Sequence, residues 1–168
     1  MTNANPRGRS GEREMLTGFL DWYRAIIERK VQGLTMGDAS REMTGTGLSP
    51  LGVIKHLGWV EYGWFRYTFA GEDVERPPRK DDDNAIQFRI GPDDTVESVL
   101  NFYRSEGEHA RQITAGAASL DDLGARVSRF MGTISLRWIL VHMVEETARH
   151  AGHLDLMREA IDGQTGYL

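Results

Sequence analysis

The sequence predicts an all-α protein, a four-helix bundle with one long crossover loop between its second and third helices. Two observations carry this. Four segments repeat apolar residues at i, i+3, i+4 spacing, the period of an amphipathic helix. The middle two are separated by a charged, Pro-rich stretch from Glu72 to Asp93, far longer than the usual link between bundle helices. Four such helices around one core make a bundle. With 168 residues, no internal repeat and no second composition regime, the chain reads as one bundle domain, residues 10–168, behind a disordered tail, residues 1–9.

The first helix spans about Gly11 to Gln32, with Met15, Leu16, Phe19, Leu20, Tyr23, Ile26, Ile27 and Val31 in register. Ser10 suits the N-cap, Glu12 and Glu14 the first turn, and Gly33 the position after the end. Leu34–Leu48 is rich in Gly and Thr and reads as a loop. The second helix opens on Ser49 as cap, with Pro50 in the first turn, where its missing N–H costs nothing. It runs through Val53, Ile54, Leu57, Val60, Trp64 and Phe65 to about Phe69, and Gly71 ends it. Trp59, Tyr62 and Tyr67 make it apolar nearly all round, so it should be buried against more than one neighbour.

The crossover loop carries Pro77-Pro78 and Asp81-Asp82-Asp83, and loops of this length often form the wall or lid of a site. Ala85–Ile90 alternates weakly, as a short extended piece would. The third helix opens with Asp94-x-x-Glu97, a capping-box pattern, and continues through Val96, Val99, Leu100, Tyr103 and Ile113 to Gly116. Ser119–Gly124 suits a short helical turn. The last helix runs from about Ser135 to Ile161, roughly 40 Å at 1.5 Å per residue, and Asp162-Gly163 closes it.

Composition removes whole classes of chemistry. The chain has no cysteine, which excludes disulfides, iron–sulfur clusters, thiolate zinc sites and a cysteine nucleophile. A net charge of −5 argues against nucleic acid as a partner. No run of 18 apolar residues exists to span a membrane. Arg7 and Arg9 have no apolar stretch behind them, so the N-terminus does not read as a signal peptide and the cytoplasm is the expected compartment.

Soft nitrogen donors are therefore limited to five His, three of them between 142 and 153. On the last helix His142, Glu146, His150 and His153 share an arc of roughly 80° at about 100° per residue. Glu146 and His150, four apart, can converge on one point, and a carboxylate with an imidazole suits Zn, Ni, Fe or Mn. The apolar stripe of this helix is Ile139, Leu140, Met143, Leu154, Met157 and Ile161. His150 lies nearest its centre, Glu146 next, then His153, with His142 at the edge. An inward carboxylate needs a partner or a metal. A third ligand has to come from another helix. His56 sits at the edge of the second helix's stripe and Glu61 nearer its middle, so spacing alone prefers neither. Glu61 equally suits an ion pair with Arg137 or Arg158. His109, among Glu106, Glu108 and Arg111, reads as solvated. Trp59, Trp64 and Trp138 read as core rather than as a substrate platform.

Leu51-Gly-Val-Ile-Lys-His56-Leu and the long run from Ser135 to Gly163, containing Glu146-Thr-Ala-Arg-His150-Ala-Gly-His153, resemble the DinB-like metal-binding bundle superfamily. More closely, they resemble a bacterial branch beside the mycothiol-dependent maleylpyruvate isomerases, over about residues 10–168. The resemblance implies a four-helix bundle, often dimeric, with one divalent metal held by a His of the second helix and a pair four apart on the last. Carried onto this sequence, the metal ligands are His56, Glu146 and His150, with zinc expected first. His56 rests on the resemblance alone. The isomerases have an additional C-terminal domain, and with the sequence ending at Leu168 their own activity is not expected.

Members of the superfamily use low-molecular-weight thiols such as mycothiol. The expected function is accordingly a metal-dependent thiol S-transferase, acting on a small-molecule electrophile. Three protein ligands leave an open position for the thiol, and His142 and His153 are candidates for proton transfer or for orienting a ligand. The same open site could instead activate water for hydrolysis, and a closed one would make the protein a non-enzymatic metal- or ligand-binding bundle. In a chain without cysteine, any sulfur chemistry uses a thiol brought by a cosubstrate.

Overall fold

A computed structural model describes residues 8–78, 85–128 and 131–166. Residues 1–7 of the expected tail and the Asp81–Asp83 run lie outside them. Among the described residues all regular structure is helical, with two isolated antiparallel bridges, Leu123 to Ser135 and Ser128 to Gly132.

Helix α1 is Glu12–Arg29. Gly11, not Ser10, takes the N-cap position, and no side chain caps it; the carboxylates of Glu12 and Glu14 complement the helix start instead. Gly33, with φ at +76°, lets the chain turn away. The expected loop that follows contains one turn, α2 (Met36–Ala39), started by Thr35, whose hydroxyl accepts the Asp38 N–H at 3.1 Å. Helix α3 is Pro50–Glu61, and the Ser49 hydroxyl accepts the Gly52 N–H at 3.1 Å, as the Ser-Pro pair requires.

The second helix does not stay α-helical to Phe69. From Tyr62 to Phe69 it widens to a π-helix. The wider turn keeps Phe65 fully in the core while the next residue, Arg66, reaches Glu72 at 2.8 Å and Glu106 at 3.1 Å.

The crossover connection runs from Ala70 to Thr95. Its Ala85–Ile90 part is not extended. The N–H groups of Phe88 and Arg89 both bond to the Ala85 carbonyl, at 2.9 and 3.0 Å, closing a turn. Helix α4 is Val96–Gly116, and its capping box is one residue later than expected, Thr95 with Ser98. Asp94 is drawn off by Lys55 (2.6 Å) and the Gly91 N–H (2.6 Å), so Thr95 caps in its place. Ser119–Gly124 is a turn rather than helix, with the Asp122 N–H on the Ser119 carbonyl and the Asp122 carboxylate on the Ser119 N–H. Helix α5, Leu136–Asp162, starts on the Ser135 hydroxyl and stops at Gly163, φ +77°.

Helix α1 packs chiefly along α5, and α3 along α4; α3 also touches α5. The core has two halves. One gathers Ile26, Ile27, Leu51, Ile54, Leu57, Leu154 and Met157; the other gathers Leu20, Phe65, Ile139, Leu140 and Met143. Between them in sequence, on α1, α3, α4 and α5, stand the buried polar residues Arg24, Glu61, Glu106, Thr147 and His150. Trp59 and Trp64 are half-buried, but Trp138 is 36% exposed. The core expectation fails for Trp138 because it stands where α5 faces out, covered in part by the edge of Trp64 and by the stacked ring of His142 (5.2 and 5.1 Å between ring centroids).

Candidate metal centre

Two helices build the site. On α3, between one and two turns before the π-helical stretch that starts at Tyr62, stands His56; on α5, Glu146 and His150 occupy successive turns of the inward face. The cap at Ser49 and the cap at Ser135 fix where each helix starts, and the two halves of the core hold the helices together on either side. Side-chain exposure is 7% for His150, 14% for Glu146 and 13% for His56.

The three donor atoms converge. His56 Nε2 and His150 Nε2 each lie 3.2 Å from the same oxygen, Glu146 Oε1, and all three ligand atoms fall within 4.8 Å of one another. The two imidazole rings meet edge to face at 5.1 Å. The polar contact with His150 first, and then that with His56, holds the Glu146 carboxyl well below the usual carboxylate range, outweighing the opposite effect of burial. The carboxylate is therefore ionised. An ionised oxygen flanked by two imidazole nitrogens is a donor set for a cation, and the N, O, N combination suits a divalent metal of the zinc type. His56, Glu146 and His150 could thus hold a metal ion.

His153 and His142 sit differently. His153 Nδ1 is 3.3 Å from His150 Nδ1, on the ring edge away from Glu146. Burial first, then the neighbouring His150 and Arg149, lowers its pKa and favours the neutral ring. His142 stacks on Trp138 at 5.1 Å with its edge near Trp64, and its Nδ1 lies 3.5 Å from Glu145; it shares no hydrogen bond with the three converging residues. His109 has a 40% exposed side chain, 3.7 Å from Glu106.

Glu61 is the residue that spacing could not separate from His56. It is fully buried and bound by Arg24 of α1 through two 2.7 Å bonds, from Nε and from an Nη. Neither expected partner reaches it. Arg137 pairs with Glu12 and Asp121, and Arg158 pairs with Asp162 while donating to the Lys30 and Gln32 carbonyls. Arg24 had a signal of its own: it lies four residues after Leu20 and three before Ile27, inside the buried stripe of α1.

Two residues without a periodic or motif signal complete the surroundings. Phe88 stacks on His56, with ring centroids 4.0 Å apart and planes 17° apart, and Gln87 Oε1 lies 2.9 Å from His56 Nδ1. Both come from the crossover connection, which thereby forms a wall of the site. Beyond Phe88 a cavity of about 860 Å³ runs under Met36, Glu42, Leu48 and Arg89.

No helix among the described residues is long and apolar enough to cross a membrane. None of the curated proteins compared with the chain matches it. The sequence model of the mycothiol-S-transferase family matches residues 15–163, nearly the whole chain, and the chain belongs to that family. All three converging residues lie inside the matched span.

Proposed function

We propose that this protein is a divalent-metal-dependent S-transferase that joins a mycothiol-type thiol to a small-molecule electrophile. Its ion, zinc in the first instance, would be held by His56, Glu146 and His150. The observation that carries the reading is the convergence of those three donor atoms within 4.8 Å in a chain of the mycothiol-S-transferase family. A divalent ion at such a site supplies a Lewis acid that lowers the pKa of a thiol reaching it, so that thiolate is present at neutral pH. Three protein ligands are the number that leaves a position free for such a group.

The remaining residues act around that centre. Neutral His153 can accept the Nδ1–H of His150, which leaves the His150 Nε2 lone pair directed at the site. We assign His142 to packing against Trp138 and Trp64. Phe88, stacked on His56, excludes water from one side of the imidazole. The wider reading is a DinB-like four-helix bundle over residues 10–168, working in the cytoplasm, where such thiols are kept.

The test is metal content by elemental analysis, then conjugation of a generic electrophile with and without added thiol, in wild type and His150→Ala. The expected result is about one bound ion per chain, thiol-dependent turnover, and loss of both in the variant. Equal rates in the two proteins would refute the reading. Turnover of model esters or amides without thiol would replace it with hydrolysis.

A further inference from the structure

One face of α3 is fitted to the crossover connection. Gly52, Lys55 and His56 stand at i, i+3 and i+4, so they share that face. At Gly52 the Phe88 carbonyl oxygen comes so close that a Cβ would collide with it. Lys55 donates to the Arg89 carbonyl at 3.1 Å and pairs with Asp94 at 2.6 Å. His56 meets the ring of Phe88 and the side chain of Gln87. The spacing of Leu51-Gly-Val-Ile-Lys-His56 is thus also the spacing of a docking face for this segment.

Docking gives Gln87 one orientation. Its Nε2 donates to the Pro78 carbonyl, an atom that can only accept. A flipped amide would set oxygen against oxygen there. The Gln87 oxygen therefore faces His56 Nδ1, at 2.9 Å, and Nδ1 must carry the proton. A neutral imidazole with its proton on Nδ1 has its lone pair on Nε2, the atom 3.2 Å from Glu146 Oε1. Without Gln87 the ring is free to place its proton on Nε2 and donate to Glu146, a hydrogen bond that occupies the very lone pairs a cation needs.

We propose that Gln87 is a positioning residue: its amide fixes His56 in the Nδ1–H tautomer and keeps Nε2 open toward Glu146 and His150. The assignment rests on the metal reading above for its purpose, but not for its first test. Long-range ¹H–¹⁵N NMR of the chelator-treated full-length protein at pH 9, where imidazoles are neutral, should give His56 a protonated Nδ1 and a bare Nε2. In Gln87→Ala that preference should be lost or reversed. Zn²⁺ titration against a chromophoric chelator should show affinity reduced about 10- to 100-fold in Gln87→Ala, the usual cost of losing a partner that orients a ligand. Gln87→Glu, whose carboxylate still accepts from Nδ1 but cannot donate to the Pro78 carbonyl, should restore the Nδ1–H tautomer. A wild-type His56 protonated on Nε2 overturns the proposal, and so does a Gln87→Ala protein with unchanged tautomer and Zn²⁺ affinity. Wild-type protein that binds no Zn²⁺ overturns the metal reading instead, and the tautomer comparison then still decides what Gln87 does to His56.

Discussion

The ion pair between Arg24 and Glu61 makes a sharp prediction about how α3 is held. Arg24 and Glu61 have side chains 6% and 0% exposed, so solvent screens them little. Burial alone would lower the Arg24 pKa, yet the charge and hydrogen bonds of Glu61 raise it, and the guanidinium is permanently charged. Tyr103 lies alongside, its hydroxyl held protonated by burial and then by the charge of Glu61. Arg24→Met removes the two bonds that Arg24 gives the Glu61 carboxylate and leaves that group buried without compensation among the described residues. Breaking such a pair costs about 3–5 kcal/mol. For a chain of this size each kcal/mol moves the Tm by about 2–4 °C, so a fall of about 6–20 °C is expected.

The double variant Arg24→Met/Glu61→Leu removes both charges and should return to within about 1 kcal/mol of wild type, because an apolar pair of similar volume often matches a buried ion pair. Urea denaturation followed by circular dichroism measures all three proteins, and Zn²⁺ titration of the double variant should give wild-type affinity. A cost below about 1 kcal/mol for the single change, or a double variant no better than the single, would refute the reasoning. Lost Zn²⁺ affinity in a stable double variant would return Glu61 to the list of metal ligands.

Two further outcomes follow from local geometry. Burial would raise the Asp94 pKa, but hydrogen bonds from Lys55 and the Gly91 N–H outweigh it and depress the folded value below the ordinary 3.8. Its contribution, about 1 kcal/mol, is therefore complete above the unfolded pKa and disappears as pH falls through the folded one; urea midpoints of wild type and Asp94→Asn should differ at pH 6 and merge under strong acid. Gly71 has φ at +65° and an added Cβ would stand 2.6 Å from the Ala125 Cβ, where Ala125 is tied to the Phe69 carbonyl. Gly71→Ala should cost about 2 kcal/mol or more by thermal denaturation, whereas Gly116→Ala, which meets nothing within 4 Å, should cost none.

What could be read from the sequence was whatever depends on near neighbours in the chain. Ser49-Pro50 and Ser135 start their helices because the capping bond spans three residues. Gly163 ends α5 because the left-handed turn is a property of one residue. Glu146 and His150 meet because four residues bring them to one helix face. The failures at the start of α4 and around the site are long-range. Asp94 is as good a cap as Thr95 until Lys55, 39 residues away, claims it. Glu61 and Arg24 are 37 residues apart, and no local period says which arginine among several will arrive. His56 came only through resemblance to a family, since an edge position on one helix says nothing of what faces it. Gln87 and Phe88 carry no periodic signal because a turn has none.

The polar residues between the two halves of the core explain why the site stands where it does. Apolar runs on α1, α3 and α5 are each interrupted at corresponding positions, by Arg24, by Glu61, and by Glu146, Thr147 and His150. An interruption of that kind costs stability unless each group is satisfied. Arg24 and Glu61 satisfy each other. Glu146 and the two histidines do so incompletely: if Gln87 takes the His56 proton and His153 takes that of His150, three lone pairs face one another and nothing donates. Most of the caps, periods and packing elsewhere agree with the fold, so a conflict among three converging donor atoms marks a place where function rather than folding chose the residues. The lack of cysteine sharpens the point: with no protein thiol present, a cation relieving that conflict meets only nitrogen and oxygen from the chain.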